Sequence, residues 1–371
     1  MFIVLGTFAD NIRSIPCFVD GLKPSQRKVL YSCFKRNLNK EIKVAQLSGY
    51  CAEHTSYHHG EASLHATIIG MAQNFVGSNN WPLLVPSGQF GTRLTGGQDA
   101  ASPRYIFTKL ADVSRLLFPE ADDNLLDYNH EDGQKIEPIF FCPVIPLVLV
   151  NGAQGIGTGW STFIPPCNIF DVIDFILCEI DGRKERPNIR PHVNGFKRSI
   201  VRKEDGTGFV TRGVIKQTSS TSLVISELPV GTWTNNYKLH LTSVSFTVVL
   251  TAIQLKKIMK KGNPETTFRL ETSLPSSNMH LFDEKGMIRK FSSAEEIVEA
   301  FFPVRLEMYC RRKRNMENVA EFETTLLQNK AKFIEYVTDG KIDLVQGRLA
   351  KADLVRVLSN QGFMKQLMYR T

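Results

Sequence analysis

The stretch DGLKPSQRKVLYSCFKRN, residues 20–37, sets the fold expectation for the first part of the chain. Its Lys-Pro step predicts that a helix starts at Pro24, because the fixed φ angle of proline suits the first helical position. Arg27 and Lys28 then fall in the first turns of this helix. The stretch therefore predicts a helix whose N-terminal part carries two cations.

Two more helices are predicted directly downstream of the first. One covers about Lys43 to Ala52. The other is indicated by EASLHATIIGMAQNF, in which apolar residues recur at helical spacing: Leu64, Ile68, Met71, Ala72 and Phe75. Three short helices followed by short strands favour a winged helix, so we expect a winged-helix domain over residues 1–146.

The middle of the chain predicts strands together with one helix. The apolar run FFCPVIPLVLVNG, residues 140–152, is typical of a buried strand, and two prolines precede a helix predicted from about Asn168 to Ile180. Further on, GFVTRGVIK and TSLVISEL alternate like paired strands, and TTFRLETSL adds another strand. These patterns predict an α/β (α+β) domain over residues 147–297.

The last part of the chain predicts long helix. Ser292 and Glu295 resemble a capping box, and Pro303 predicts the start of a helix or a kink in one. Apolar residues then follow coiled-coil spacing: Val319, Phe322, Leu326, Phe333 and Val337. We expect a partial coiled coil over residues 298–371, and a multidomain α/β (α+β) fold for the chain as a whole.

Composition narrows the class of protein. The 371 residues are too many for one ordinary core, and 45 Lys and Arg against 37 Asp and Glu give a formal net charge of +8. That surplus favours a polyanion such as nucleic acid, although plain soluble proteins also carry it. The seven cysteines form no CxxC or zinc-finger spacing, so we expect reduced thiols and no metal site. No apolar run reaches membrane-spanning length, so we expect a soluble protein without a membrane partner.

Two motifs left alternatives open at this level. The glycines of GAQGIGTGW, residues 152–160, can cradle a pyrophosphate only if a helix follows at once, and none is predicted there. Close approach of the backbone around Ile156 to another surface is therefore favoured, with burial in the core as the alternative. In SYHHGEASL, His58 and His59 precede a predicted helix, where phosphate contact competes with a capping or buried role.

A third motif ends in a tyrosine. The polar, glycine-rich loop SGQFGTRLTGGQDAASPRY predicts that Tyr105 reaches a surface. A tyrosine with a pKa near 10 is a poor nucleophile, but the neighbouring Arg104 can stabilise a phenolate and the charge that builds on a phosphate. Composition alone favours a structural tyrosine over a nucleophile.

Seven motifs together resemble the DNA breakage and reunion region of eukaryotic-type DNA topoisomerase II, a type IIA enzyme. They are DGLKPSQRKVLY, KVAQLSGY, SYHHGEASL, AQNFVGSNN, GQFGTR, SPRYIFT and NGAQGIGTGWST, and the similarity runs in the same order from about Asn11 to at least Phe333. The resemblance implies that Tyr105 attacks DNA to form a 5′-phosphotyrosine link, with Arg104 as its transition-state partner. The freed 3′ hydroxyl would then reseal the strand.

The resemblance also implies the remaining site residues. It places His59 at the catalytic centre and assigns contacts to the phosphate or the scissile site to further side chains: Lys23, Arg27, Lys28, His58, Gln89 and Arg93. Ile156 would be the apolar wedge that enters a base step and bends the duplex. Cations and imidazoles bind the DNA backbone without reading sequence, in agreement with this assignment.

Further expectations about cofactors and partners come from the same resemblance. Double-stranded DNA, homodimerisation and a nuclear location are implied, and the complete enzyme would use Mg²⁺ and ATP. Both would bind outside this chain, in TOPRIM and ATPase regions expected before residue 1. The segment between Tyr237 and Val244 is shorter than expected for the tower-like domain, and the chain stops within the outgoing coiled coil. The alternative function is a non-catalytic DNA-binding or dimerisation module.

Overall fold

The computed structural model describes residues 2–237, 246–260, 264–341, 356 and 358–363. The chain divides into two compact units, Met1–Leu306 and Glu307–Thr371. The predicted domain boundaries at residues 146 and 297 both concern the first unit and stay predictions. The shortened segment expected between Tyr237 and Val244 involves residues 238–245, which lie outside the described residues.

The helices are short, apart from the last one. Their bounds are α1 Phe2–Ser14, α2 Pro24–Lys35, α3 Val44–Thr55, α4 Glu61–Ala72, α5 Asp112–Leu117, α6 Leu147–Asn151, α7 Ile169–Ile180, α8 Ala252–Lys260, α9 Pro264–Thr267 and α10 Ala294–Thr338. A 3₁₀ helix covers Glu120–Leu125.

The strands are also short. Their bounds are β1 Ile42–Lys43, β2 Phe107–Thr108, β3 Tyr128–Glu131, β4 Gln134–Pro138, β5 Ala153–Ile156, β6 Ser161–Ile164, β7 Val201–Arg202, β8 Gly208–Arg212, β9 Val214–Gln217, β10 Ser222–Glu227, β11 Phe246–Val249, β12 Glu271–Pro275, β13 Met279–Phe282 and β14 Ile288–Phe291. Pairings between these strands are antiparallel within the described residues, so the mixed fold is of the α+β kind.

Helices α2, α3 and α4 pack on one another, which confirms the three helices predicted from the sequence. The start of α2 is fixed as expected at Pro24, and the Lys23 N–H donates to Gln26 Oε1 at 2.9 Å. The apolar faces of these helices form a fully buried core: Val29, Leu30, Val44, Leu47, Leu64 and Ile68. The β3–β4 hairpin lies against α2 and α3 through strand β4.

The run at residues 140–152 contradicts the predicted strand. Its second part forms the short helix α6, and Pro146 stands at the N-terminal cap of that helix. A short run that is buried on every side carries no periodicity, so its pattern cannot separate strand from helix. The Asn151 side chain then fixes the end of the helix by hydrogen bonds with the backbone N–H and carbonyl of Trp81, at 2.8 and 2.9 Å.

The glycine-rich motif forms the β5–β6 hairpin rather than a turn into a helix. Strand β6 lies against β13, and β5 lies against α1. The predicted helix after the prolines is confirmed as α7, whose cap residue Asn168 accepts a hydrogen bond from the Phe170 N–H at 2.9 Å.

Strands β7 to β12 form two three-stranded sheets, with strand orders β11-β10-β9 and β12-β8-β7. This confirms the pairing expected between GFVTRGVIK and TSLVISEL, through β9 and β10, and the strand expected in TTFRLETSL, which is β12. A separate small core of Ile225, Leu228, Phe246 and Leu270 lies beneath the first sheet. We call residues 201–275 the strand-rich region.

Helix α10 begins at Ala294, and the predicted capping box is wrong by one residue. Ser293 Oγ accepts from the Glu296 N–H at 3.2 Å, while the Glu296 carboxylate accepts from Ser292 N–H at 2.7 Å. Pro303 lies inside this helix rather than at its start. None of the described helices is both long enough and apolar enough to span a membrane.

The second unit contains the later part of α10 and a short piece of the chain after it. Phe333 and Tyr336 make edge contacts with Phe363, with ring centroids 6.3 and 5.4 Å apart. Lys332 Nζ donates to the Gln361 carbonyl at 2.9 Å. Val319 and Phe322, on the predicted coiled-coil seam, are 48% and 43% exposed.

Candidate functional site

Tyr105 is displayed on the surface by a turn whose backbone is fixed. Its side chain is 69% exposed, and its N–H donates to the Ser102 carbonyl at 2.9 Å. The N-terminus of α3 holds this turn, because Ala45 N–H donates to the Pro103 carbonyl at 3.1 Å and Val44 N–H to Ile106 at 3.0 Å. The phenol is therefore accessible while its main chain is tied to the helical core, which removes the buried structural tyrosine as an alternative.

Arg104 lies beside this phenol. Its guanidinium carbon is 5.4 Å from the centroid of the Tyr105 ring, and the side chain is exposed. The Arg104 Nε donates only a long hydrogen bond, 3.4 Å, to Ser102 Oγ. A guanidinium in this place stabilises negative charge on the phenol oxygen or on a phosphate that the phenol attacks.

His58 and His59 are exposed immediately before α4. Gly60 is the cap residue of that helix, with a φ of +85° that favours glycine, and no side chain caps it. His58 Nε2 lies 3.4 Å from Glu131 Oε1, and the His59 ring meets Tyr57 edge-on at 5.5 Å. The structure thus removes burial and capping as roles for these histidines, which leaves them facing solvent near a helix N-terminus.

A second surface feature joins Lys23 to Ile156. Lys23 Nζ donates to the carbonyl of Gln154 at 2.9 Å, and burial lowers the pKa of this lysine. Ile156 is 78% exposed at the end of β5, so the core role that the sequence left open for it is wrong. Trp160 is also exposed on this hairpin. The hairpin therefore presents an apolar tip with a cation at its base.

The glycines around Ile156 are explained by helix α1. A Cβ on Gly155 would overlap the Ser14 carbonyl oxygen, and a Cβ on Gly157 would overlap Asn11 Oδ1. The sequence predicted close approach of the backbone to another surface, and one such surface is this helix of the same chain.

Hydrogen bonds from the hairpin complete its attachment to α1. Asn11 Nδ2 donates to the Thr158 carbonyl at 3.2 Å, and Thr158 Oγ1 donates to Asp10 Oδ2 at 2.8 Å. The bond from Thr158 lowers the pKa of Asp10.

Arg27 requires a correction. It was expected to contact phosphate, but it is 7% exposed and its Nε and Nη2 donate to both carboxylate oxygens of Asp20 at 2.8 and 3.1 Å. Burial alone would lower the pKa of Arg27, but the Asp20 carboxylate raises it overall. A charge that is neutralised inside the protein cannot serve a backbone phosphate, so we assign Arg27 to holding α2 in place.

Lys28 is similarly engaged. Its Nζ donates to the Thr55 carbonyl at 2.6 Å and to Glu137 at 2.9 Å, and the side chain is mostly buried. These contacts join α2 to the end of α3 and to strand β4. The phosphate contact expected for Lys28 is therefore replaced by a structural role, whereas Lys23 keeps a position at the surface.

Arg93 also differs from the expectation. Its guanidinium pairs with Glu227 and donates to the Leu228 carbonyl at 2.8 Å, so the side chain points into the strand-rich region. Gln89 is exposed, and its Nε2 lies 3.5 Å from Asp99 Oδ2. Of the two loop residues expected to line the DNA, only Gln89 presents its side chain to solvent.

Asp99 organises this loop and was not found from the sequence. It accepts from Thr92 N–H at 2.8 Å, from Thr92 Oγ1 at 2.6 Å and from Thr95 Oγ1 at 2.5 Å. Burial opposes the ionisation of Asp99, but these hydrogen bonds outweigh it and lower its pKa. Asp between Ser, Thr and Gly residues is a known turn-forming signal, which could have pointed to it.

Comparison with known proteins agrees with this arrangement of Tyr105, Arg104 and the Ile156 hairpin. The family model for the A-type polypeptide of DNA gyrase/topoisomerase IV matches residues 13–369. The chain belongs to this family. It is 45% identical over 385 residues to DNA topoisomerase 2 of Arabidopsis thaliana and 45% identical over 376 residues to the mitochondrial DNA topoisomerase 2 of Dictyostelium discoideum.

These comparisons also show which part of the family proteins the chain represents. It aligns over 97% and 95% of its own length with these two relatives but spans only 26% and 29% of theirs. Its fold matches the DNA-binding, cleavage and re-ligation domain of Plasmodium falciparum topoisomerase II with a TM-score of 0.89 and 42% identity, over 97% of this chain and 52% of that one. The chain therefore corresponds to the DNA cleavage-reunion region of type II topoisomerases.

The described residues do not fit a magnesium site. Among them, no three His, Cys, Asp or Glu side chains come together in a way that could hold a metal ion. Hard divalent cations need several oxygen ligands at once, and the carboxylates of this site, such as Asp99 and Glu227, are already hydrogen-bonded to loop residues. No step of the chemistry is therefore assigned to a metal held by this part of the chain.

Proposed function

We propose that this chain is the part of a type IIA DNA topoisomerase that cuts and reseals DNA. The carrying observation is Tyr105, an exposed phenol on a fixed turn with the Arg104 guanidinium beside it. A catalytically inert module would have no need of this pairing. The alternative of a non-catalytic DNA-binding or dimerisation module is accordingly not favoured.

The reaction is an exchange of one phosphodiester for another. The Tyr105 oxygen attacks a backbone phosphorus, and the bond from phosphorus to the 3′ oxygen breaks. The new bond joins the phenol oxygen to the 5′ phosphate, and the 3′ oxygen leaves as a hydroxyl after taking up a proton. Attack by that hydroxyl reverses the step, so resealing requires no separate energy source. Arg104 stabilises the charge that develops on the phosphate.

DNA is proposed to cross the surface that contains the remaining exposed residues of the site. His58 and His59 face solvent ahead of α4, where a helix N-terminus favours an anion, and His59 is assigned to the scissile phosphate. Lys23 and Gln89 supply further polar contacts. Ile156 is assigned as the wedge between base steps, because a large apolar side chain at the tip of an anchored hairpin suits that role.

The finer architecture is proposed on the same basis. Helices α2 to α4 with the β3–β4 hairpin would form the winged-helix domain, the strand-rich region would belong to the tower, and α10 would begin the coiled coil of a homodimer. ATP and Mg²⁺ would bind in other regions of the complete enzyme. A nuclear location is proposed from the family, although one relative is a mitochondrial enzyme.

The test is formation of a covalent adduct. The chain is combined with a TOPRIM-containing region of a related topoisomerase, Mg²⁺ and a duplex labelled at its 3′ ends, because a 5′ link retains the 3′-labelled fragment. Label should remain with the denatured protein, and Tyr105→Phe should abolish it while DNA binding persists. Adducts in Tyr105→Phe would identify a different nucleophile. No adduct with any such partner would favour the non-catalytic module.

A further inference from the structure

The loop that leads into Tyr105, residues 88–101, is pinned at its base. Ser87 and Phe107 exchange two backbone hydrogen bonds, at 3.0 and 2.9 Å, and the Ala101 N–H donates to the Gln89 carbonyl at 2.9 Å. Because Tyr105 follows this base by only a few residues, the position of the loop restricts the position of its backbone. The loop is therefore part of what places the phenol.

The tip of the same loop is held by the strand-rich region. Arg93 pairs with Glu227, which ends β10 and is only 1% exposed, and donates to the Leu228 carbonyl at 2.8 Å. The backbones are joined as well, since Asn235 N–H donates to the Leu94 carbonyl at 3.0 Å and Thr234 N–H to Arg93 at 3.4 Å. Removing one member of a buried ion pair leaves an uncompensated charge, so this contact resists opening.

Trp233 fills a slot made by glycines at this junction. A Cβ on Gly96 would overlap the indole ring, and a Cβ on Gly77 would lie 3.4 Å from it. The indole also meets the Phe75 ring edge-on, with centroids 5.9 Å apart. Glycine at residue 96 has a φ of +70°, so both the space and the backbone conformation there require glycine.

We propose that Glu227 and Trp233 are positioning residues for Tyr105, acting through Arg93 and the loop at residues 88–101. The strand-rich region and the nucleophile would then be mechanically coupled, so that DNA bound to one biases the alignment of the other. This inference depends on the proposed function. A displacement of about 1 Å at a reacting group can cost on the order of a hundredfold in rate, so a loosened loop would be felt in the chemistry.

The experiment compares Glu227→Gln with Glu271→Gln. Both remove one carboxylate charge from the strand-rich region, but Glu271 pairs with Arg212 on the surface and does not touch the loop. In the reconstituted adduct assay, Glu227→Gln should form adduct roughly ten- to a hundredfold more slowly with unchanged DNA affinity, and Glu271→Gln should match the wild type. Arg93→Lys, which keeps the charge, should recover part of the rate that Arg93→Gln loses.

Amide hydrogen exchange is measured on the same proteins because it does not depend on activity. Glu227→Gln and Trp233→Ala should speed exchange within residues 88–101, while Glu271→Gln should not. If the wild type forms adduct and Glu227→Gln forms it equally fast, the inference is overturned although the proposed function stands. If the wild type forms no adduct, the proposed function fails, and unchanged exchange in Glu227→Gln would then overturn the inference as well.

Discussion

Ile156 and Tyr105 are large side chains that this fold holds in solvent, at 78% and 69% exposure. Burying an isoleucine side chain is worth about 1.5–3 kcal/mol, so an exposed one on an anchored hairpin forgoes stability that a core position would provide. The hairpin under Ile156 is nevertheless braced by α1, which fixes the tip in place. That combination is what a wedge requires.

Ile156→Ala should reduce DNA bending more than DNA affinity. One apolar side chain opens a base step, whereas many polar contacts hold the backbone. Energy transfer between dyes at the two ends of a duplex reports the bend, and the salt-dependent binding isotherm reports the affinity. Equal bending by Ile156→Ala and the wild type would show that Ile156 is not the wedge.

Asp20→Asn should destabilise the first unit by about 3–5 kcal/mol, because it leaves the buried Arg27 without its counter-ion. Asp20 also accepts from the N–H groups of Leu22 and Phe141, both at 3.0 Å. Urea unfolding measures the loss. Asp181→Asn, in an exposed pair with Arg183, is the matched control and should change stability by no more than about 0.5 kcal/mol. A loss for Asp20→Asn as small as that of the control would contradict the assignment.

Single residues were predicted well where the local sequence decides their exposure. The glycine-rich loop before Tyr105 and the glycines around Ile156 indicate surface positions, and both residues are exposed. Arg27 and Arg93 were not, because each is neutralised by a carboxylate that no local pattern identifies. The partner of Arg93 is Glu227, 134 residues away along the chain.

At the scale of elements, helices α2 to α4 were predictable because they carry start signals and apolar periodicity. The run at residues 140–152 was not, since a buried segment has no polar face to reveal its period. The glycine-rich hairpin and the loop at residues 88–101 depend on contacts with α1 and the strand-rich region, which lie far away in sequence. Tertiary contacts of this kind decide conformation where local propensity is weak.

The loop at residues 88–101 should be sensitive to the charge of Asp99. Its pKa is lowered in the folded protein, so the stability that its ionised form contributes is fully present above the unfolded value of about 3.9 and is lost as pH falls through the lower folded value. Carbon-13 NMR titration of the Asp99 carboxyl group should give a pKa below about 3.9. A pKa at or above that value would contradict the hydrogen-bonded carboxylate described here.

At the scale of the whole molecule, the first unit contains every residue assigned to the site, and the second contains the later part of α10. The net charge of +8 suits a polyanion, but the charge is not spread evenly in function. Arg27, Lys28 and Arg93 are used inside the protein, whereas Lys23 and Arg104 remain at the surface. Net charge therefore indicated the class of partner without identifying the residues that meet it.

The most direct test of the account is to identify the residue that becomes linked to DNA. Adduct from the reconstituted reaction is trimmed with nuclease and digested with trypsin, and the modified peptide is sequenced by mass spectrometry. The account predicts a nucleotide attached through its 5′ phosphate to Tyr105, in the peptide that ends at Lys109. Attachment at any other residue, or through a 3′ phosphate, would contradict it.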